Sequence, residues 1–218
     1  MAKHALAREV ARFHSDTAVF IDHAQVLASD HEWLAPVEHL TLWNVKLPER
    51  FLATLLNLKL LDIRGGSGET LSLVEGCASL DGLVVNQIRG LHNVDALVEL
   101  TSLRLLSLYG LPKVVHVPSL QSHVQLTRLE LGSMKNLESA APLLKAPNLR
   151  ELLLSRKMRP GSIDAELLSS HPSLEQFLWF AVDVPKSQSG PIIDAITLPQ
   201  ARSILPEKWL KANPSPIE

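Results

Sequence analysis

The chain has 218 residues, with 21 Lys and Arg against 23 Asp and Glu, so its formal net charge is −2 at pH 7. This balance lacks the surplus of cations that a general nucleic-acid-binding surface needs. No stretch approaches the roughly 18 uninterrupted apolar residues of a membrane span, and the one cysteine, Cys77, cannot form an intramolecular disulfide. A cytoplasmic protein is therefore expected.

The beginning of the chain predicts a cap on the fold. Leu6, Val10 and Phe13 recur at helical spacing, which predicts a short amphipathic helix over residues 1–13. Apolar alternation over residues 18–22 then predicts a first, degenerate strand.

One short phrase, apolar-x-x-apolar-x-apolar, recurs seven times between residues 37 and 180. Its copies start 21 to 25 residues apart, and all 21 apolar slots are apolar although only 46% of the chain is. The alternation in the last three slots is typical of a strand with one buried face. The copies are VEHLTL from 37, LKLLDI from 58, LDGLVV from 80, LRLLSL from 103, LTRLEL from 126, LRELLL from 149 and LEQFLW from 174.

The segments between the phrases return the chain to the start of the next strand. Residues 48–57 and 162–170 are predicted helices, with Pro48 at a first helical position and Ser162 as a cap. Shorter, proline-containing returns in the middle predict 3₁₀ turns or extended chain. A polar residue, which is a turn signal, precedes each later phrase. These residues are Asn57, Ser79, Ser102, Gln125, Asn148 and Ser173.

The phrase and its spacing resemble the leucine-rich repeat family over about two-thirds of the chain. The resemblance implies an α/β solenoid, with a curved parallel sheet on the concave side and short helices or 3₁₀ turns on the convex side. Most such repeats carry Asn or Cys three residues after the last apolar slot. Here that residue is missing, so the turn backbone is expected to find other partners. The position holds Val45, Gly66, Ile88, Leu111, Met134 and Lys157.

The end of the chain predicts a second cap. Phe177 and Trp179 replace leucine in the last phrase, and bulky aromatic residues suit the closing of an open core. The cap is expected to pack on the last repeat, with residues 211–218 loose. The resulting organisation is an N-terminal cap (1–36), seven repeats (37–181), and a C-terminal cap and tail (182–218).

The sequence offers no constellation for catalysis or metal binding. The segment Gly65-Gly66-Ser67-Gly68 lacks the lysine of a phosphate-binding loop and favours a tight turn. The nine histidines include no HExxH or paired metal spacing. Cys77 is expected to be a buried structural thiol. We therefore expect no enzymatic activity, no cofactor and no small-molecule substrate.

The residue directly after the last apolar slot of each phrase should point to the concave surface. That column contains Trp43, Arg64, Asn86 and Tyr109, and Trp, Arg and Tyr dominate interface hot spots. We take these residues as candidates for binding a partner protein. The alternative is that Trp43 leans under a flanking loop and that Tyr109 only decorates its strand.

Charge suggests a further feature of the binding surface. Arg104, Arg128 and Arg156 are expected on the concave face, where they would orient the partner. Acidic residues, Glu138 among them, collect on the outer returns at the back of the solenoid. The loop edge after the strands instead carries cations, which favour an acidic partner surface. The alternative is that both are solvated faces. The cations of the loop edge are Lys46, Arg89, Lys113, Lys135, Lys157 and Arg159.

The expected function is non-catalytic binding of a partner protein through the concave face and the basic loop edge. Two alternatives stay open. One is an immunity or inhibitor protein that neutralises a toxin or an enzyme. The other is a secreted bacterial effector that acts on a host protein and would be exported. No nucleic-acid or membrane partner is expected.

Overall fold

The computed structural model describes residues 5–214, and they form a solenoid of stacked coils. Eight parallel strands, one from each coil, and one antiparallel strand make a nine-stranded sheet in the order β11-β10-β9-β8-β7-β6-β5-β3-β2. The predicted α/β solenoid is confirmed. The strands are β1 Ala5–Leu6, β2 Arg12–Ser15, β3 Ala18–Asp22, β4 Ala24–Gln25, β5 His39–Trp43, β6 Leu60–Arg64, β7 Gly82–Asn86, β8 Leu105–Tyr109, β9 Arg128–Gly132, β10 Glu151–Ser155 and β11 Gln176–Phe180.

Helices are short and lie in the returns and at the two ends. Within residues 5–214, none is long and apolar enough to cross a membrane. The α-helices are α1 Ala7–Val10, α2 His31–Leu34, α3 Ala165–Ser169, α4 Lys186–Ala195 and α5 Pro206–Ala212. The 3₁₀ turns are Ala28–Asp30, Leu52–Thr54, Ser72–Val74, Asp95–Glu99 and Leu143–Lys145.

Every predicted strand forms, and all of them pair in one register. Leu83 pairs with Leu106, and Leu106 pairs with Leu129 in the next coil. All three side chains are fully buried. The degenerate strand also forms as predicted, since β3 pairs with β5 in the same way. The apolar slots therefore stack into continuous columns that make up the core.

A left-handed turn follows every parallel strand of the stack except the last, β11. The residue after the strand has a positive φ, 65° at Gly110 and 56° at Gln87. Its N–H donates to the last residue of the neighbouring strand, as Gly110 does to the carbonyl of Gly132 at 2.9 Å. The same turn recurs at His23, Asn44, Gly65, Ser133 and Arg156. In these seven coils the turn leads the chain away from the sheet without leaving this N–H unpaired.

Apolar side chains fill most of the turn position where the repeat family carries asparagine. Ile88, Leu111 and Met134 are buried there and extend the core. Backbone bonds between coils replace the missing side-chain bonds. The N–H of Lys46 donates to Ala24 at 2.9 Å, and that of Arg89 to Gly66 at 3.0 Å.

A side-chain ladder is present at the opposite end of the strands instead. It is built by the polar residues that precede the phrases. Asn148 Nδ2 donates to the carbonyl of Val124 at 2.8 Å, and Ser102 Oγ to that of Ala78 at 2.8 Å. Asn57, Ser79 and Ser173 make equivalent bonds to the preceding coil. The turn signal in the sequence therefore marks a bond between coils.

The N-terminal cap differs from its prediction. Instead of a helix over residues 1–13, the described part contains β1, the single turn α1 and then β2, and residues 1–4 lie outside the described range. Phe13 lies in β2, which pairs antiparallel with β3. The need to pair the open edge of the first coil outweighs the local helical spacing, because an unpaired strand edge exposes a row of backbone groups.

Two predicted helices in the returns are largely wrong, whereas the 3₁₀ or extended middle returns are confirmed. Residues 48–57 contain only a 3₁₀ turn, because Arg50 takes a φ of 54° and interrupts the helix. Residues 162–170 contain only α3. Asp164 caps α3 by accepting from the Glu166 N–H at 2.9 Å, while Ser162 Oγ donates to the carbonyl of Arg159.

The C-terminal segment covers more of the molecule than the predicted cap. Residues 199–201 bond to the backbone of Phe177 in the last strand. The chain then leaves the end of the solenoid, and α5 lies across the concave face against β7. Part of the tail expected to be loose is attached, because Arg104 Nη2 donates to the carbonyl of Asn213. Residues 215–218 lie outside the described range.

Shortening a core leucine should destabilise the whole stack. Leu106→Ala or Leu129→Ala is expected to cost about 2–5 kcal/mol, because each leaves a cavity in a fully buried column. Urea unfolding followed by circular dichroism measures the loss. Leu56→Ala is the control, since Leu56 is 78% exposed and should change stability by about 0.5 kcal/mol at most. Equal stability of all three variants would contradict the register.

A buried histidine should make the stability depend on pH. His123 is fully buried, and its Nε2 contacts the carbonyl oxygen of Leu97 at 2.9 Å. Burial lowers the pKa of His123, and the Leu97 carbonyl opposes that effect only in part. The folded state therefore keeps the ring neutral, whereas the unfolded chain takes up a proton near pH ~6.5. The neutral ring of His123 therefore contributes its full stabilisation above pH ~6.5, and this contribution is lost as the pH falls below that value.

Replacing the histidine by leucine should remove this pH dependence. Leu100 stands at the equivalent position one coil earlier, so His123→Leu suits the column. Thermal melts between neutral and mildly acidic pH measure the loss of stability. We expect a smaller loss in His123→Leu and an unchanged loss in the exposed control His92→Gln. An equal loss in wild type and His123→Leu would show that other groups cause it.

Candidate functional site

The predicted concave column forms, and its members are adjacent. Trp43 pairs with Arg64, Arg64 with Asn86, and Asn86 with Tyr109 on successive strands. Their side chains stand at the carboxyl ends of the strands, next to the left-handed turns. We call this row of residues, which continues through Gly132 and Ser155 to Phe180, the strand-end column.

Trp43 stands near the start of the column and remains 43% exposed. Its indole lies against the turn of the next coil, where a Cβ on Gly65 would come within 2.9 Å of Trp43 Nε1. Gly65 has a φ of 59° and no side chain, so both the turn and the indole fit. Trp43 therefore packs against a turn and remains partly exposed to solvent.

Arg64 is neutralised by a neighbour that the sequence analysis did not select. Its Nε lies 2.9 Å and 3.0 Å from the two carboxylate oxygens of Asp62, and its Nη2 lies 2.5 Å from Oδ2. These hydrogen bonds raise the pKa of Arg64 above its ordinary value. The guanidinium is held in place by a bidentate pair, and its other donors remain half-exposed at the column.

Tyr109 is half-buried because it packs on a glycine of the next strand. A Cβ on Gly132 would lie 2.6 Å from Tyr109 Cδ2, so a larger residue there would displace the ring. A groove of about 210 Å³ lies beside Tyr109, Arg64 and Asn86 and is closed on its far side by Pro206 of the C-terminal segment.

Arg128 does not face a partner as predicted. Its side chain is fully buried beneath the C-terminal segment. It bonds to Glu130 at 2.8 Å, pairs with Glu151, and donates from Nη2 to the carbonyl of Arg202 at 3.0 Å. The sequence could not show this contact, because it depends on where residues 202–212 fold.

The other two predicted orienting arginines also lie in different surroundings. Arg104 is only 8% exposed and holds the carbonyl of Asn213 in the C-terminal segment. Arg156 is exposed, in the left-handed turn after β10, and therefore belongs to the rim of the face. Of the three, only Arg156 is accessible to a partner.

The central floor of the concave face forms a second, small apolar cluster with the C-terminal segment. Leu60, Val84 and Leu105 are buried there against Trp209, and Leu210 packs beside them. Gly82 makes the approach possible, since a Cβ on it would lie 2.7 Å from Leu210 Cδ1. The sequence did not identify these residues as one cluster. The one signal was a glycine at a floor position where the neighbouring strands carry leucine.

The cations of the loop edge are all exposed and all follow a strand, so they lie along one side of the sheet. One assignment to the acidic back is wrong. Glu138 lies 3.7 Å from Arg159, so it stands on the loop edge and partly neutralises it. Turns after parallel strands meet at one edge, and the return that carries Glu138 begins there.

Cys77 and the glycine-rich segment from Gly65 to Gly68 belong to the core and to a turn, respectively. Cys77 is buried, and burial raises the pKa of its thiol to about 11. Gly65 and Gly66 both have a positive φ and form a turn, as the sequence favours. Among residues 5–214, no group of three or more His, Cys, Asp or Glu side chains could hold a metal ion.

No protein-family model matches the sequence, and no curated protein matches it. Among solved structures, the chain is similar to an internalin C2 from Listeria monocytogenes, at 23% identity and a TM-score of 0.51. That alignment covers 73% of this chain and 69% of the internalin. An internalin from the same organism, internalin F, aligns at 14% identity with a TM-score of 0.28, over 85% of this chain and 73% of its own. The similarity to internalin C2 concerns the fold alone. The similarity to internalin F is too weak to support a conclusion.

The single cysteine gives a test of burial. A thiol-reactive maleimide should label native Cys77 slower by about two orders of magnitude than the urea-unfolded chain, because the thiolate form is depleted and the sulfur is covered. Mass spectrometry over time measures the rate, and no other cysteine interferes. Rapid labelling of the native chain would place Cys77 at an accessible surface.

Proposed function

We propose that this chain, a leucine-rich-repeat solenoid, is a non-catalytic recognition module that binds a partner protein through its strand-end column and basic loop edge. The observation that carries the proposal is the column itself. It places Trp43, Arg64 and Tyr109 on three strands of one rigid ladder, with Asn86 between Arg64 and Tyr109. Side chains on paired strands are held more precisely than side chains on loops.

The exposure of the column favours binding at the rim of the concave face. Trp43 is 43% exposed and Phe180 is 57% exposed, at opposite ends of the same row. Burying aromatic area and satisfying a pre-oriented guanidinium are the contacts that contribute most to protein interfaces. The groove beside Tyr109 offers a recess for one partner side chain.

Charge favours a partner with an acidic surface. The floor arginine Arg128 is paired with Glu130 and Glu151, and Arg64 with Asp62. The long-range field at the rim therefore comes mainly from the exposed loop-edge cations and from Arg156. Such a field raises association rates with acidic partners and weakens with salt.

A pull-down from native lysate tests the proposal. We expect the tagged Trp43→Ala/Tyr109→Ala double variant to lose a partner that the wild type retains, because it removes two aromatic contacts from the rim. Val98→Ala/Val124→Ala is the matched control, since both valines are about half-exposed and lie on the returns. Circular dichroism verifies that each variant is folded.

The identity of the captured partner would separate the functional classes. A toxin or an enzyme held in a tight one-to-one complex indicates an immunity or inhibitor protein, and a host protein indicates an effector. A partner that the double variant still binds would place the site elsewhere and overturn the assignment to the column.

A further inference from the structure

The concave floor is covered by the chain itself, yet its composition is that of a binding surface. Arg128 is fully buried there with the carboxylates of Glu130 and Glu151, and it pairs with Leu105 of the apolar floor. Apolar residues often replace buried ion pairs without loss of stability. Stability of the solenoid therefore gives no reason for these charges, whereas recognition of a polar segment does.

The covering segment is held as a bound peptide would be. Trp209 Nε1 donates to Glu151 Oε1 at 2.9 Å, and Arg128 lies 5.7 Å from the centre of the Trp209 ring. Leu210 enters the space above Gly82. The two floor arginines, Arg128 and Arg104, donate to backbone carbonyls at either end of the segment.

This segment is separable from the core of the solenoid. The buried residues of the main core end at Val184, and the partly buried residues packed against it end at Leu198. Trp209 belongs instead to the small satellite cluster on the floor. A seven-residue helix that is anchored mainly by Trp209 and Leu210 is expected to open at a lower free energy than the core unfolds.

We propose that the concave floor is a groove for a short amphipathic helix and that α5 occupies it in cis, competing with a partner helix of the same chemistry. The partner helix carries an indole that donates to Glu151, a large aliphatic residue directly after it, and a carboxyl end that faces Arg104. Cations beside a helix C-terminus are favourable. The inference rests on the proposed function, because it adds a second, self-regulated surface to a recognition module.

A trans-binding experiment tests this competition in the full chain. A fluorescent peptide with the sequence of residues 202–214 is titrated with wild type and with Trp209→Ala/Leu210→Ala. The variant keeps the floor intact while its own α5 lacks both contacts. We expect the variant to bind the peptide about tenfold more tightly than the wild type, or better, because the cis competitor is weakened.

Two controls separate displacement from unspecific binding. Lys208→Ala changes an exposed residue of the same helix, so this chain should bind the peptide as weakly as the wild type. A peptide with alanine in place of both anchoring residues should bind neither chain. Equal binding of the original peptide to the wild type and to Trp209→Ala/Leu210→Ala would overturn the proposal.

A second measurement uses the wild type alone, so it does not depend on a variant that folds. Native-state hydrogen exchange should show the amides of Trp209 in α5 and of Asn213, its C-cap, exchanging at least about tenfold faster than the strand amide of Leu106. Exchange of all three at the rate of global unfolding would make α5 an integral part of the fold and would also overturn the proposal.

The two proposals fail in different ways. If the peptide binds the opened floor but the Trp43→Ala/Tyr109→Ala chain captures the same partners as the wild type, the strand-end column is not the binding site and the floor groove stands. If the peptide never binds and that variant loses its partner, the column stands and the groove fails.

Discussion

The parallel hydrogen-bond ladder between consecutive strands is the constraint on which the rest of the molecule depends. Each strand pairs with the next without a shift, so Leu83, Leu106 and Leu129 form one buried column while the residues between them form columns on the concave face. A slip of one residue would exchange core and surface along the whole strand. Core stability and the layout of the candidate site are therefore two results of one register.

The concave face consists of two surfaces, which differ in their exposure to solvent and in the contacts that hold them. The strand-end column is held by the ladder and exposes Trp43 and Phe180 to solvent at its two ends. The floor combines an apolar patch with the buried Arg128 and its partner Glu151, and α5 covers it. The covering segment satisfies the floor charges with the indole N–H of Trp209 and the backbone carbonyls of Arg202 and Asn213, and a partner segment has the same kinds of group. One solenoid can thus present a permanent surface and a covered one side by side.

The N-terminal cap and the returns between the strands were predictable from the sequence only in part. The spacing of Leu6, Val10 and Phe13 suits a helix, but the exposed edge of β3 needs a strand beside it, and that need decides the structure. Residues 48–57 have helical composition, yet the left-handed φ of Arg50 leaves only a 3₁₀ turn. In the sequence, the polar residues before the phrases are turn signals. Their bonds to the preceding coil can be seen only once the coils are stacked.

The sequence by itself determined the strands, their register and the residues of the strand-end column, because a repeat of 21 to 25 residues with a period of two in each phrase leaves one way to bury every apolar slot. It also indicated the burial of Cys77. Only the tertiary structure decided what lies on the concave floor. Trp209 meets Glu151 across a separation of 58 residues, and no local period connects them. That contact depends on the C-terminal segment crossing the face, where Gly82 leaves room for Leu210 beside Trp209.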